Sequence, residues 1–116
     1  MADQQSTARD PIGSALVRED SSFADIVGEF VEGLGDRLAT MEEAIRGGDF
    51  EALRAAAHQL KGSGGGYGYP ILTERAGSLE QLAKAGILDG CEKTVTDLRE
   101  LCERVVVATD DTDDEG

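Results

Sequence analysis

Tryptophan is absent from the 116 residues, histidine occurs once, proline and cysteine twice each, and 11 basic side chains face 24 acidic ones. Each scarcity excludes something. A net charge of −13 argues against a nucleic-acid partner, whose phosphates it repels, so any positive charge that matters must act locally. No apolar run approaches the ~20 residues that span a bilayer, and the first residues lack the apolar core of a signal peptide. A cytoplasmic chain without membrane contact is expected. One histidine and two cysteines cannot supply a spaced ligand set, so no metal site is expected. Cys91 and Cys102 would sit on one helix ~16 Å apart, beyond the ~7 Å between Cα atoms that a disulfide tolerates, and read as core thiols. With 15 glycines and five aromatic residues besides the histidine, the core must be built from small and aliphatic side chains, and modest stability is expected.

What is present is helical periodicity from end to end, in a chain long enough for one domain. Residues 1–9 are polar and read as a flexible N-terminus. Asp10-Pro11 can cap and open a short helix, docked by Ile12 and Leu16. After a cap at Asp20, Ser21 and Ser22, apolar residues recur at steps of three and four from Phe23 through Phe30, Leu34, Leu38 and Met41 to Ile45. That spacing predicts one long amphipathic helix, which Gly28, Gly33 and Gly35 either bend or open to close packing. Gly47-Gly48-Asp49 stops it and caps the next helix, from Phe50 to about Gly64, which must fade within GSGGGYG. Pro70 opens a third helix ending at Gly86, and Asp89 with Glu92 forms a capping-box-like start for a fourth. No strand period is visible. Short loops make successive helices antiparallel, so the expected fold is all-α: an up-down four-helix bundle over residues 10–108, with an additional short N-terminal helix. Residues 109–116, rich in acid, read as a disordered tail.

His58 is the side chain suited to proton or phosphoryl exchange near neutral pH. On its helix Phe50, Leu53, Ala57 and Leu60 form the apolar stripe, and His58 is offset from it by about one residue's rotation. Its own face carries Arg54, Ala55, Lys61 and Gly62. Ala55 and Gly62, one turn to either side, leave the ring standing clear, while Arg54 and Lys61 put positive charge beside it. Glycine inside a helix costs roughly 1 kcal/mol against alanine, so Gly62 asks for a reason, and a flat approach surface for another protein supplies one.

The glycine run does not make a phosphate-binding loop. A Walker loop needs Gly-Lys-Ser/Thr after a strand, and Lys61 precedes the glycines instead. The GxGxxG spacing also fails, with Tyr67, Tyr69 and Ile71 where the last glycine should stand.

His58, Leu60, Lys61, Gly62, Ser63 and Gly68, followed by Leu72, Ala76 and Leu79-Glu80, resemble the histidine-containing phosphotransfer (HPt) domain of two-component phosphorelays. The family pattern is a histidine with a lysine three residues on, a glycine four on and a glycine ten on, placed on one hairpin of a four-helix bundle. The resemblance implies a phosphorelay intermediary that accepts a phosphoryl group on His58 from a receiver-domain aspartyl phosphate and passes it to another receiver aspartate. It implies a phosphocarrier and not an enzyme. Lys61 would then neutralise phosphoryl charge, and Arg54, Ala55, Gln59, Gly62 and Gly65 would form the docking face for the receiver. Gly68 would be the structural turn between helices. Glu80 or Gln81, on the adjacent helix, lies where an acceptor could orient the ring. No cofactor is implied on this chain. With no cluster of carboxylates around His58, magnesium and most of the electrostatic catalysis would come from the receiver domain of a hybrid kinase or response regulator. A self-contained acidic bundle is expected to be a monomer. Two other readings remain open: a pseudo-HPt module that binds a receiver or kinase without being phosphorylated, and a plain helical protein that takes a partner helix in an apolar groove.

Overall fold

The computed structural model describes residues 10–109, and the expected flexible N-terminus and the acidic tail beyond Thr109 lie outside the described residues. Among the described residues six α-helices follow in order: α1 (Ala15–Glu19), α2 (Ala24–Glu32), α3 (Leu34–Arg46), α4 (Phe50–Gly66), α5 (Pro70–Ala85) and α6 (Leu88–Arg104). One 3-10 turn, Ser21–Phe23, separates α1 from α2. Helices α3 to α6 form the bundle. Each packs on the next, and α3 also packs on α6, which closes the ring. The connections, 47–49, 67–69 and 86–87, are too short for anything but reversal, so neighbours run antiparallel.

The helix ends follow from local chemistry. Asp49 accepts a hydrogen bond from the Ala52 amide at 3.0 Å and caps α4. Pro70 opens α5, where its missing N–H costs nothing, and Gly86 ends it with φ of 70°. Two starts differ from the expectation. The first helix begins at Ala15 instead of Pro11, because Ser14 supplies the cap by accepting from the Val17 amide at 3.2 Å. In α6 Ile87 occupies the cap position without a side-chain bond, and Asp89 lies inside the first turn, where its charge meets the helix dipole and caps nothing.

The long helix expected from Phe23 to Ile45 is two helices, interrupted at Gly33. There ψ flattens to −6° and the amide is shared between the carbonyls of Glu29 and Phe30 at 3.2 and 3.1 Å. Hydrogen bonding resumes at once, from the Arg37 amide to the Gly33 carbonyl at 3.2 Å. Of the two alternatives for these glycines, Gly33 is the bend.

The core runs along the bundle axis. Leu53, Leu60, Leu72, Leu79 and Leu98 are fully enclosed with Ala57, Ala76 and Cys91, and each buried leucine contributes roughly 2 to 3 kcal/mol. Both cysteines are free, Cys91 buried and Cys102 half-buried, and burial pushes the Cys102 thiol up to about 11. One end is closed by aromatics: Phe30 stacks on Tyr67 and Tyr69 at 4.7 and 5.9 Å. Over that end the two chain segments meet, with Ile12 bridging Val105 and the Tyr69 hydroxyl donating to the Val106 carbonyl at 2.6 Å.

Candidate functional site

Midway along the bundle, α4 and α5 bring three ionisable side chains together. His58 and Lys61 lie one turn apart on α4, and Glu80 lies opposite on α5. Oε2 of Glu80 is 3.0 Å from Nδ1 of His58, and its Oε1 is 2.8 Å from the Lys61 ammonium. The exposures run outward from that carboxylate: the side chain of Glu80 is 6 % exposed, Lys61 40 % and His58 62 %. A buried anion holds two solvent-facing groups. With Nδ1 engaged, Nε2 has no hydrogen-bond partner among the described residues.

Glu80 is buried because α5 needs its neighbours inside. Leu72, Ala76, Leu79 and Ala83 form the inward stripe of α5, and Glu80 sits on the edge of that stripe, turned toward α4. A carboxylate there is costly unless its charge is compensated. Oε2 meets the His58 ring nitrogen, and Oε1, which has no hydrogen bond of good geometry, is compensated by its ion pair with the Lys61 ammonium. The Lys61 ammonium first, together with the His58 ring, holds the Glu80 carboxyl below the usual carboxylate range, against burial, which pushes the other way.

The other residues singled out from the sequence divide. Gly62 is exposed, and a Cβ there would meet nothing within 4 Å, so the surface one turn beyond the ring is open. Gln59 is exposed and Ala55 half-buried on the same side of α4. Arg54 lies one turn before His58, but its guanidinium is paired with Glu51, and the pair raises the arginine and lowers the glutamate. Gly65 is exposed at the edge of the contact with α5: a Cβ there would lie 3.0 Å from Oγ1 of Thr73. Gly68 is buried at φ of 94°, and a Cβ would fall 2.4 Å from Ser14 Oγ and 2.6 Å from the Leu16 amide nitrogen. It is a turn that must also admit the N-terminal segment. Of the pair Glu80 and Gln81, Glu80 reaches the ring and Gln81 is exposed.

Two residues of α5 and the one that precedes it were not singled out. Gly77 lets the Lys61 stem cross α5, its missing Cβ 3.4 Å from the lysine Cδ. Thr73 donates its hydroxyl to the Lys61 carbonyl at 2.7 Å. Tyr69 is fully buried, and burial pushes its hydroxyl up to about 12. The spacing of Thr73, Gly77 and Glu80 at four and three places them on one face, which is the signal in the sequence that could have found the first two.

Among the described residues no helix is long and apolar enough to cross a membrane, and no three carboxylate, histidine or cysteine side chains gather as metal ligands do. In comparison with known proteins, residues 25–108 match the family described as the Hpt domain. No curated protein and no solved structure matches the chain.

Proposed function

The chain belongs to the Hpt domain family, whose members carry phosphoryl groups in two-component signalling, and from that premise we propose that His58 is its phosphoacceptor. The observation that carries the reading is the pairing of a largely exposed imidazole with a buried carboxylate at 3.0 Å. A carboxylate at that nitrogen keeps the proton on Nδ1, which leaves the lone pair on Nε2 facing outward. Nε2 attacks the phosphorus of a receiver's aspartyl phosphate in line. The new N–P bond forms as the P–O bond to the aspartate breaks, and the electron pair leaves with the carboxylate. The imidazole gains positive charge with its Nδ1 proton retained, and Glu80 lies against that charge. Reversal onto a second receiver's aspartate completes the relay. The protein is a carrier and a substrate of its partners.

Lys61 is the cation for the incoming phosphoryl oxygens, a flexible point charge now resting on Glu80. Both oxygens of Glu80 are taken by His58 and Lys61, so we assign magnesium and the carboxylates that hold it to the receiver. Docking uses the open surface around Gly62, with Ala55 and Gln59, on a monomer in the cytoplasm. The alternative, a pseudo-HPt module that binds without being phosphorylated, leaves the ring's outward nitrogen without a use. Incubation with a receiver carrying labelled phosphate tests the proposal: label passes to the parent protein as an acid-labile, base-stable adduct and not to His58→Gln. Equal label on both proteins would contradict it.

A further inference from the structure

Lys61 is held at both of its ends by α5. Glu80 takes its ammonium at 2.8 Å, and Thr73, two turns earlier on the same face, donates to its backbone carbonyl at 2.7 Å. The second contact is unusual for a helical threonine. Inside a helix a threonine hydroxyl commonly bonds back four residues along its own chain, as Thr94 does to Gly90 at 2.8 Å and Thr96 to Glu92 at 3.0 Å in α6. Thr73 instead reaches across to α4, to a carbonyl that keeps a second lone pair beyond its helix bond.

The crossing depends on the glycine run. A Cβ at Gly64 would lie 3.0 Å from Leu72 Cβ and 3.2 Å from both the amide nitrogen and Oγ1 of Thr73, and one at Gly65 would lie 3.0 Å from that Oγ1. A side chain at Gly64 would crowd the α5 backbone at Thr73 by a few tenths of an ångström, and one at Gly65 would crowd the Thr73 hydroxyl. Gly64 and Gly65 therefore open a window through which Thr73 meets α4 backbone. We propose that Thr73 is a positioning residue for phosphotransfer: its bond through the Gly64–Gly65 window fixes the register of α5 on α4 and so aims Glu80 at Nδ1 of His58.

Register decides the aim because Thr73 and Glu80 are carried by one rigid helix, about 10 Å apart along its axis. His58 and Lys61 are carried by another. A slide or tilt of one against the other moves Glu80 off the ring. Without the acceptor at Nδ1 the ring can place its proton on Nε2 instead, and that tautomer has no outward lone pair to attack phosphorus. The inference rests on His58 as phosphoacceptor, but its first readout does not.

The experiment compares the full chain with Thr73→Val, which keeps the shape and removes the donor, Thr73→Ser, which restores the donor, and Thr94→Val, which removes an equivalent hydroxyl in α6. Histidine 15N shifts report which ring nitrogen carries the proton, and potassium phosphoramidate, a small donor whose N–P bond breaks as ammonia leaves, reports uptake without a receiver. Thr73→Val is expected to raise the population protonated at Nε2 and to slow uptake about tenfold. Thr73→Ser and Thr94→Val are expected to match the parent in both. A folded Thr73→Val with the parent's 15N shifts overturns the inference, and so does Thr94→Val changing both readouts as much as Thr73→Val. If Thr73→Val fails to fold, Thr73→Ala, which adds no bulk, decides in its place. A parent protein that takes no phosphoryl group refutes the phosphoacceptor reading, while the 15N comparison still decides the role of Thr73.

Discussion

Glu80 Oε2 stands 3.0 Å from Nδ1 of His58, and the same carboxylate holds the Lys61 ammonium at 2.8 Å. One buried anion thereby fixes both the orientation of the ring and the resting place of the cation beside it. On the proposed function, the site is a nucleophile whose tautomer is set by that carboxylate, beside a charge that can move.

Removing the acceptor should therefore cost rate more than fold. Glu80→Ala is expected to take up phosphoryl from phosphoramidate about tenfold more slowly than the parent, with Glu80→Gln, which keeps one acceptor oxygen, in between. Initial rates by phosphorus NMR check this. A Glu80→Ala protein reacting at the parent rate would show that the ring needs no partner.

At Gly62 stability and function should move in opposite directions. A side chain there meets nothing in its own chain and improves helix propensity, so Gly62→Leu is expected to gain up to about 1 kcal/mol, a rise of several degrees in melting temperature. Uptake from phosphoramidate should be unchanged, while transfer from a phosphorylated receiver should fall at least tenfold by steric exclusion. Transfer from the receiver at the parent rate would mean that partners approach from another side.

Gly68→Ala should destabilise, in contrast. Its φ of 94° costs an L-residue about 1 to 2 kcal/mol, and the added Cβ would sit 2.6 Å from the Leu16 amide nitrogen, which belongs to backbone and cannot rotate away. A loss of at least about 2 kcal/mol in urea unfolding is expected. Gly66→Ala, in open space within α4, is the control and should be neutral or stabilising.

Acid should weaken the fold partly through Glu80. Its carboxyl is held below the value near 4.5 of an unperturbed glutamate, chiefly by Lys61 and then by His58. The unfolded chain therefore binds the proton more readily, and the contribution is fully present above about 4.5 and is lost as pH falls through the lowered folded value. Urea midpoints measured from pH 7 to pH 3 should show the parent's lead over Glu80→Gln shrinking below that point. A lead that stays constant to pH 3 would remove the pairing from the stability of the protein.

The bundle and the exposed position of His58 were legible in the sequence because both rest on periodicity. Leu53, Ala57 and Leu60 mark the buried stripe of α4, and His58, one position beyond Ala57, had to emerge at its margin. Helix ends set by side-chain caps or by proline, such as Asp49 and Pro70, were also readable. What escaped depends on contacts between segments far apart in the chain. Ser14 caps α1 and also donates to the Tyr67 carbonyl at 2.7 Å, a tertiary bond that no local pattern records. The bend at Gly33 could be narrowed to three glycines and no further, because Gly28 packs near Val107 while Gly35 touches nothing. At the site, Gly65 is exposed as an approach surface requires, and the contact of its backbone with Thr73 could not be read from the sequence. Glu80 was one of two adjacent candidates, and the close packing of α5 on α4 selects it by turning Gln81 to solvent.

The central claim is that His58 carries the phosphoryl group on Nε2 while Glu80 keeps the proton on Nδ1. Phosphorus and nitrogen NMR of 15N-histidine-labelled protein after phosphoryl transfer tests it most directly. The account predicts a single adduct with phosphorus coupled to Nε2 and a proton retained on Nδ1; phosphorus on Nδ1, or on no nitrogen of His58, would contradict it.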